Sequence, residues 1–320
     1  MKDRLEELRK YGKEPGCHIL EIGAFFNPIF PKSKGYNTKV LDAFSKEELL
    51  KIASGETTEP GYAGALKLSE SQIAAIEDVD YLWNKSLDES ISSHNSLKPT
   101  FDLICSSHNF EHQPNPLKFL QDVESLLSED GVCTMAIPIS TRCFDLLRFP
   151  SSTRDFIEKF EQDRTRPGLA EHLDSVLCSV ETEAGQLHAH KTISHKTLRM
   201  VRPVNGYDVH TVNKSKAQLS ERYVDTHVSV LNPRSFTLIL IDLLRLGYLR
   251  HLKIFDISEY GIEFFVHLSN SRDPIQDYNL TRKDLCVYAA DYWATEIKNS
   301  ITPKSPLLRR KKIHEKIHLD

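Results

Sequence analysis

At 320 residues, with 40% apolar side chains and a formal charge of −4, the chain can bury a substantial core and suits one large domain with an elaboration, or two modest ones. The slight negative charge gives no overall pull toward nucleic acid or an anionic membrane, and no run approaches the roughly 18 consecutive apolar residues of a membrane span. The start, MKDRLEELRKYGKEPG, has the pattern of a charged amphipathic helix and lacks the apolar core of a secretory leader. CHILEIG (17–23) then reads as a short buried strand ending at a glycine, and TKVLDAF (38–44) as a second strand with Asp42 near its end. SKEELLKIA and SESQIAAIED are helix-like, VDYLWN (79–84) is a third strand, FDLICSS (101–107) a fourth and GVCTMAIP (131–138) a fifth. The clearest helix lies between the last two. Asn115 is its N-cap, Pro116 its first residue, Leu117, Leu120, Val123 and Leu127 its apolar stripe, and Gly131 lies just past its end.

Strands alternating with helices predict a parallel sheet with helices on both faces. The alternation stops after residue 140. Residues 141–227 are mixed and polar, and NPRSFTLILIDLLRLG (232–247) resumes as a helix. HLKIFDIS and IEFFVHLS follow as a strand pair joined at EYG. The expected organisation is therefore an α/β core over 1–140, an inserted cap over 141–227, completion of the sheet over 228–270, and a helical extension over 271–320 ending in the basic run Arg309–Lys312. The six cysteines (17, 105, 133, 143, 178 and 286) include no C-x-x-C pair; Cys105 and Cys133 sit in apolar runs as small hydrophobes. A reducing, cytoplasmic setting is expected.

The stretch SSHNFEHQPNP (106–116) concentrates the chemistry. His108 and His112 bracket Glu111 in H-x-x-E-H, a spacing that also supplies zinc ligands in one class of metallopeptidases. Helical geometry is disfavoured here, because a strand precedes the motif and Pro114 and Pro116 follow it. No distant third ligand announces itself, so no metal is expected. The stretch is a loop at the carboxyl end of a parallel strand, where open sheets bind their ligands.

Taken together, ILEIGAFFNPIF, VLDAF and FDLICSSHNFEHQPNPLKFLQDVESLLSEDGVCTMAIP resemble the class I S-adenosylmethionine-dependent methyltransferases, in particular the branch found beside glycosyltransferases in surface-polysaccharide pathways. The resemblance covers residues 17–150 and 225–268, thins over 151–224 and is absent from the tail. It implies a Rossmann-like seven-stranded sheet whose last two strands form an antiparallel hairpin. By position it implies that Glu21 and Gly23 belong to the loop under the methionine moiety and that Asp42 accepts from both ribose hydroxyls. It places Asn84 near the adenine edge and Ser106 and Ser107 beneath the sulfonium. One departure stands out: the second glycine of the usual G-x-G loop is replaced by Phe25 in GAFFNP. Phe25 and Phe26 could close the pocket, which would leave a catalytically inactive binding module. A nicotinamide enzyme is disfavoured, since G-x-G-x-x-G is absent.

The implied activity is O-methylation of a sugar or glycan hydroxyl, with glycosyltransferases of the same pathway as possible partners. A hydroxyl is a poor nucleophile at neutral pH and needs a base, for which histidine is suited. His108 is the first candidate and His112 the second, with Glu111 orienting either; His227 is the third. The histidines 188, 190 and 195 of HAHKTISH show no clean metal spacing and read as solvated or acceptor-facing. The arginines of the inserted block (142, 148, 154, 164, 166, 199 and 202) suggest an acceptor with anionic character, and Arg148, just beyond the fifth strand, is expected nearest the pocket.

Overall fold

The computed structural model describes residues 4–56 except 13 and 15, 68–92, 100–178, 208–300 except 222, and the short strands at 180–182, 185–186 and 202–203. Histidines 188, 190 and 195, Arg199 and the basic run at 309–312 lie outside the described residues.

The central sheet has seven strands. In chain order they are β1 (His18–Ile22), β2 (Asn37–Asp42), β3 (Tyr81–Leu82), β4 (Phe101–Ser107) and β5 (Leu127–Pro138), then β9 (Lys253–Tyr260) and β10 (Glu263–Ser269) after a small antiparallel sheet of β6 (Val180–Thr182), β7 (Gly185–Gln186) and β8 (Arg202–Pro203). The spatial order is β3-β2-β1-β4-β5-β10-β9. Strands β1 to β5 pair in parallel, whereas β10 is antiparallel to both β5 and β9. The expected α/β sheet with a terminal antiparallel hairpin is therefore the fold, and Gly261 (φ 61°) makes its turn.

Side-chain alternation sorts the strands between two cores. Leu20, Ile22, Ile104, Cys133 and Met135 face one side, where α4 (Leu87–Ser92), α5 (Pro116–Leu126), α6 (Thr153–Glu161) and α9 (Pro233–Arg245) cover them. Ile19, Leu103, Cys105, Val132 and Phe265 face the other, under α1 (Arg4–Leu8) and the loop carrying Ile29 and Phe30. A third cluster packs Phe25 against Leu49, Ile52 and Ala53 of α2 (Lys46–Ser54), with Ile76 after α3 (Glu70–Ala74). Helix α5 begins as the sequence predicts: Asn115 accepts from the Lys118 amide, and Pro116 opens the first turn.

Several boundaries differ from expectation. Helix α5 ends at Leu126 and the chain enters β5 directly at Leu127, so Gly131 is a strand residue rather than a helix stop. A Cβ there would lie 2.8 Å from the Phe101 carbonyl oxygen, beside the register shift between β4 and β5; close backbone approach explains the glycine. Strand β3 is shorter than 79–84. The block 141–227, read as poor in regular elements, contains α6, α7 (Leu169–Cys178) and α8 (Val209–Glu221). Most of the carboxyl-terminal extension that is described forms one helix, α10 (Arg282–Ser300). None of the described helices is long and apolar enough to cross a membrane.

Candidate functional site

A cleft of about 650 Å³ opens beyond the carboxyl ends of β1, β2 and β4. This is the switch point of the sheet, where β1 is flanked by β2 on one side and β4 on the other, and the connections leave in opposite directions. Strand ends build one wall. Gly23 (φ 72°) ends β1 and hands the chain to Phe25, whose φ of 35° is also left-handed. Phenylalanine thus holds the backbone conformation that glycine adopts more readily, a strain of order 1–3 kcal/mol that the packing of its ring against α2 offsets. The ring lines the cleft without filling it. Asp42, at the end of β2, also lines the cleft and is 6% exposed. Burial raises its pKa to about 6, against the opposing effect of the Phe44, Ala43 and Phe25 amides.

The other wall is the H-x-x-E-H stretch. No α-helix forms there; Phe110–His112 is a single 3-10 turn between β4 and α5. His108, immediately after β4, has a φ of 51° and lines the cleft together with Asn109, His112, Gln113 and Pro114. Its Nε2 lies 2.9 Å from Glu263 Oε2, a carboxylate at the first position of β10 that Arg4 also engages. Burial disfavours charge on Glu263, yet the bonds from His108 and Arg4 hold its pKa below the usual range. Orientation of His108 therefore comes chiefly from Glu263, across the sheet, with Glu111 Oε1 farther off at 3.6 Å from Nδ1.

Residues from beyond β5 complete this wall. Thr165, Tyr223 and Asp225 line the cleft. The segment before α9 is tied onto the motif by the Val228 and Ser229 amides, which both donate to the Glu111 carbonyl, at 2.7 and 3.0 Å. That docking brings His227 beneath His112, with ring centroids 4.7 Å apart and planes at 88°. The Nδ1 of His112 lies 2.8 Å from Asp225 Oδ1, and that of His227 bonds to Asp145 Oδ2. Burial alone would lower the His112 pKa, but the Asp225 hydrogen bond and charge, aided by Glu111 and Asp145, raise it to about 9. Asp145 is held well below the ordinary carboxylate range, because His227 and Arg148 outweigh the effect of its burial.

Not every residue singled out in the sequence reaches the cleft. Gly23, Asp42, His108 and His112 line it. Glu21 lies below, 1% exposed, accepting from the Ile29 and Phe30 amides; burial lifts its pKa to about 7 against those two bonds. It shapes the loop after β1 from underneath. Ser106 is buried and its hydroxyl has no partner among the described residues, while Ser107 Oγ accepts from Arg4. Asn84 is exposed, its backbone N–H donating to Ser90 Oγ at 2.7 Å, and the neighbouring Trp83 lines the cleft in its place.

Arg148 sits elsewhere than expected. It is 2% exposed and spans Asp145, Asp174 and the His227 carbonyl at 2.8, 2.6 and 3.0 Å; two carboxylates and a carbonyl leave it buried beneath the site rather than open to an acceptor. Arg142, Arg154 and Arg164 likewise pair with glutamates. Sequence reasoning missed Trp83, Asp145, Tyr223, Asp225 and Glu263. Two had a signal: Glu263 is a lone carboxylate opening an apolar strand, and Asp225 stands two residues before His227.

No protein-family profile matches the chain, and neither does any curated protein. Similar solved structures include a protein from Rhodobacter sphaeroides described as a Zn-dependent alcohol dehydrogenase (13% identity, covering 84% of this chain and 89% of that one, TM-score 0.41). They also include the CcbJ methyltransferase from Streptomyces caelestis (7% identity, 84% and 97% coverage, TM-score 0.39) and the glycopeptide N-methyltransferase MtfA complexed with sinefungin (10% identity, 83% and 91% coverage, TM-score 0.37). TM-scores this low carry no argument, and strand order and cleft geometry bear the functional conclusion alone.

Proposed function

We propose that this protein is an S-adenosylmethionine-dependent methyltransferase that methylates an oxygen of a sugar or glycan. The observation that carries the proposal is the buried carboxylate of Asp42, facing a cleft at the switch point of a seven-stranded sheet closed by an antiparallel hairpin. A carboxylate that has lost water and gained only backbone amides is well placed to accept from a diol.

The cleft suits the cofactor chemically. Asp42 would hold the ribose hydroxyls, Gly23 and the Phe25 turn would pass under the amino-acid portion, and Trp83 and Phe44 offer apolar walls. When bound, S-adenosylmethionine supplies a sulfonium-activated methyl group, so the hard chemistry belongs to the cofactor. The chain's own part is to orient the acceptor and take its proton. Glu263 holds Nε2 of His108, which lines the cleft; Nδ1, 3.6 Å from Glu111 Oε1, would be the nitrogen that takes the acceptor's proton. Thr165 and Tyr223, from the inserted block, line the same cleft. Arg142, Arg148, Arg154 and Arg164 are paired within the protein, and the nucleophile proposed here is a neutral hydroxyl.

Calorimetry with S-adenosylhomocysteine, followed by methyl-release assays on sugar acceptors, tests the proposal. Binding that is weakened in Asp42→Ala, with wild-type turnover on a hydroxyl acceptor, supports it. A folded protein that binds no such cofactor defeats it.

A further inference from the structure

Glu111 is an anomaly in this site. It is 1% exposed, and neither carboxylate oxygen has a hydrogen-bond partner among the described residues; a buried carboxylate left in this state is costly unless something pairs with it. The neighbouring imidazoles are arranged around it. His112 Nε2 and His227 Nε2 lie 3.8 and 3.9 Å from Glu111 Oε1, and the potential ligand atoms of the three residues all fall within 4.8 Å of one another. These separations are too long for hydrogen bonds. A tetrahedral ion with bonds of about 2.0–2.1 Å sets its ligands about 3.3 Å apart, so each of the two histidine–glutamate gaps would close by roughly half an ångström.

The outer nitrogens are fixed as well. Asp225 holds Nδ1 of His112, and Asp145, itself anchored by Arg148, holds Nδ1 of His227. A carboxylate behind each ring places the proton on Nδ1 and aims the Nε2 lone pair inward, an arrangement that orients imidazole ligands and raises their basicity. With both imidazoles neutral, as ligands must be, the carboxylates of Glu111, Asp145 and Asp225 outnumber the guanidinium of Arg148, leaving negative charge for a cation to neutralise. A second group, Glu7, Asp256 and His267, has similar spacing, but Ser258 donates to Glu7 and Lys10 pairs with Asp256, so its oxygens are already engaged.

We propose that Glu111, His112 and His227 form a binding site for a divalent transition-metal ion, with a coordination position open toward the cleft that His112 lines. Two imidazoles and one carboxylate suit zinc, cobalt or ferrous iron better than magnesium or calcium. The site stands on its own geometry and does not rest on the methyltransferase assignment. The H-x-x-E-H motif contributes its second half, and the third ligand arrives from 115 positions later (227 − 112).

The test uses the full chain, stripped with chelator and dialysed, then titrated with Co²⁺ followed by visible absorption and with Zn²⁺ followed by calorimetry. One equivalent should bind, Zn²⁺ should displace the Co²⁺ band, and Zn²⁺ should raise the melting temperature. Glu111→Gln and His227→Ala should each weaken binding at least about a hundredfold, and Asp145→Asn by about 10- to 100-fold. Should a buried variant fail to fold, the more exposed His112→Ala gives the same readout. Absence of stoichiometric binding by the folded wild type, or affinity unchanged in Glu111→Gln and His112→Ala, overturns the proposal. Binding of S-adenosylhomocysteine is measured separately, so the two conclusions fail independently.

Discussion

The two walls of the cleft are built by different means. The wall of Gly23, Phe25, Asp42 and Trp83 belongs to strand ends and the turns directly following them, within 61 residues of sequence (83 − 23 + 1). The wall of His108, Glu111 and His112 is assembled from distant parts: Arg4 and Glu263 steady one histidine, while Asp225 steadies another and His227 lies beneath it. A strand-end site needs only the sheet to form. A site of the second kind also needs the inserted block and the terminal hairpin to dock, so its chemistry is supported by long-range contacts that substitutions can remove one at a time.

The sharpest test separates catalysis on one wall from binding on the other. His108→Ala should lower turnover by roughly 10²- to 10⁴-fold while cofactor affinity, measured by calorimetry, stays within a factor of two or so. An equal loss of affinity would merge the two walls into one functional unit. Next in size, Arg148→Ala should destabilise the fold by about 3–5 kcal/mol in urea unfolding, because it strands the buried Asp145 charge. A variant of full stability with a raised acceptor KM would instead return Arg148 to the acceptor site. On the strand-end wall, Asp42→Ala should weaken binding of S-adenosylhomocysteine by about 1.5–3 kcal/mol without a comparable loss of stability.

The pH dependence of cofactor affinity probes the same carboxylate more gently. The folded pKa of Asp42 is raised to about 6, so below that pH the group carries a proton that must leave before it can accept from two hydroxyls. Affinity should therefore fall by up to about tenfold per pH unit below 6 and level off above it, and Asp42→Asn should flatten the profile. The same shift has a stability side. Without ligand, the folded state binds more protons than the unfolded chain between about pH 4 and 6, so this group's contribution declines as pH rises through that window. The smallest effect is expected at Arg154, whose pair with Glu158 is exposed; Arg154→Ala should change stability by about 0.5 kcal/mol or less.

What was legible in the sequence follows the same division. Asp42 could be placed at a strand end because VLDAF is short, apolar and followed by helix signals, and local pattern sufficed for Asn115, Pro116 and both strands of the hairpin. Trp83 rather than Asn84 at the cleft goes with β3 stopping at Leu82, two residues before the expected end, which periodicity does not resolve. The partners of the histidines were not legible, because Glu263 and Asp145 reach them only through sheet order and loop docking. Arg148 was misplaced because charge in a polar block suggests solvent or ligand, whereas here two aspartates draw it inward. Residues 141–227 looked irregular since their helices carry short apolar stripes among many charges.

Arg4 joins Glu263 and Ser107 across the end of the sheet, and Glu263 in turn sets the ring of His108. The first described helix is thereby a brace for the histidine proposed as the base. Anyone fusing an affinity tag ahead of it, or trimming the leading residues by limited proteolysis, would be altering the alignment of the base at a distance. A preparation so treated would bind cofactor normally and turn over slowly, and the fault would look like poor enzyme quality rather than a missing guanidinium.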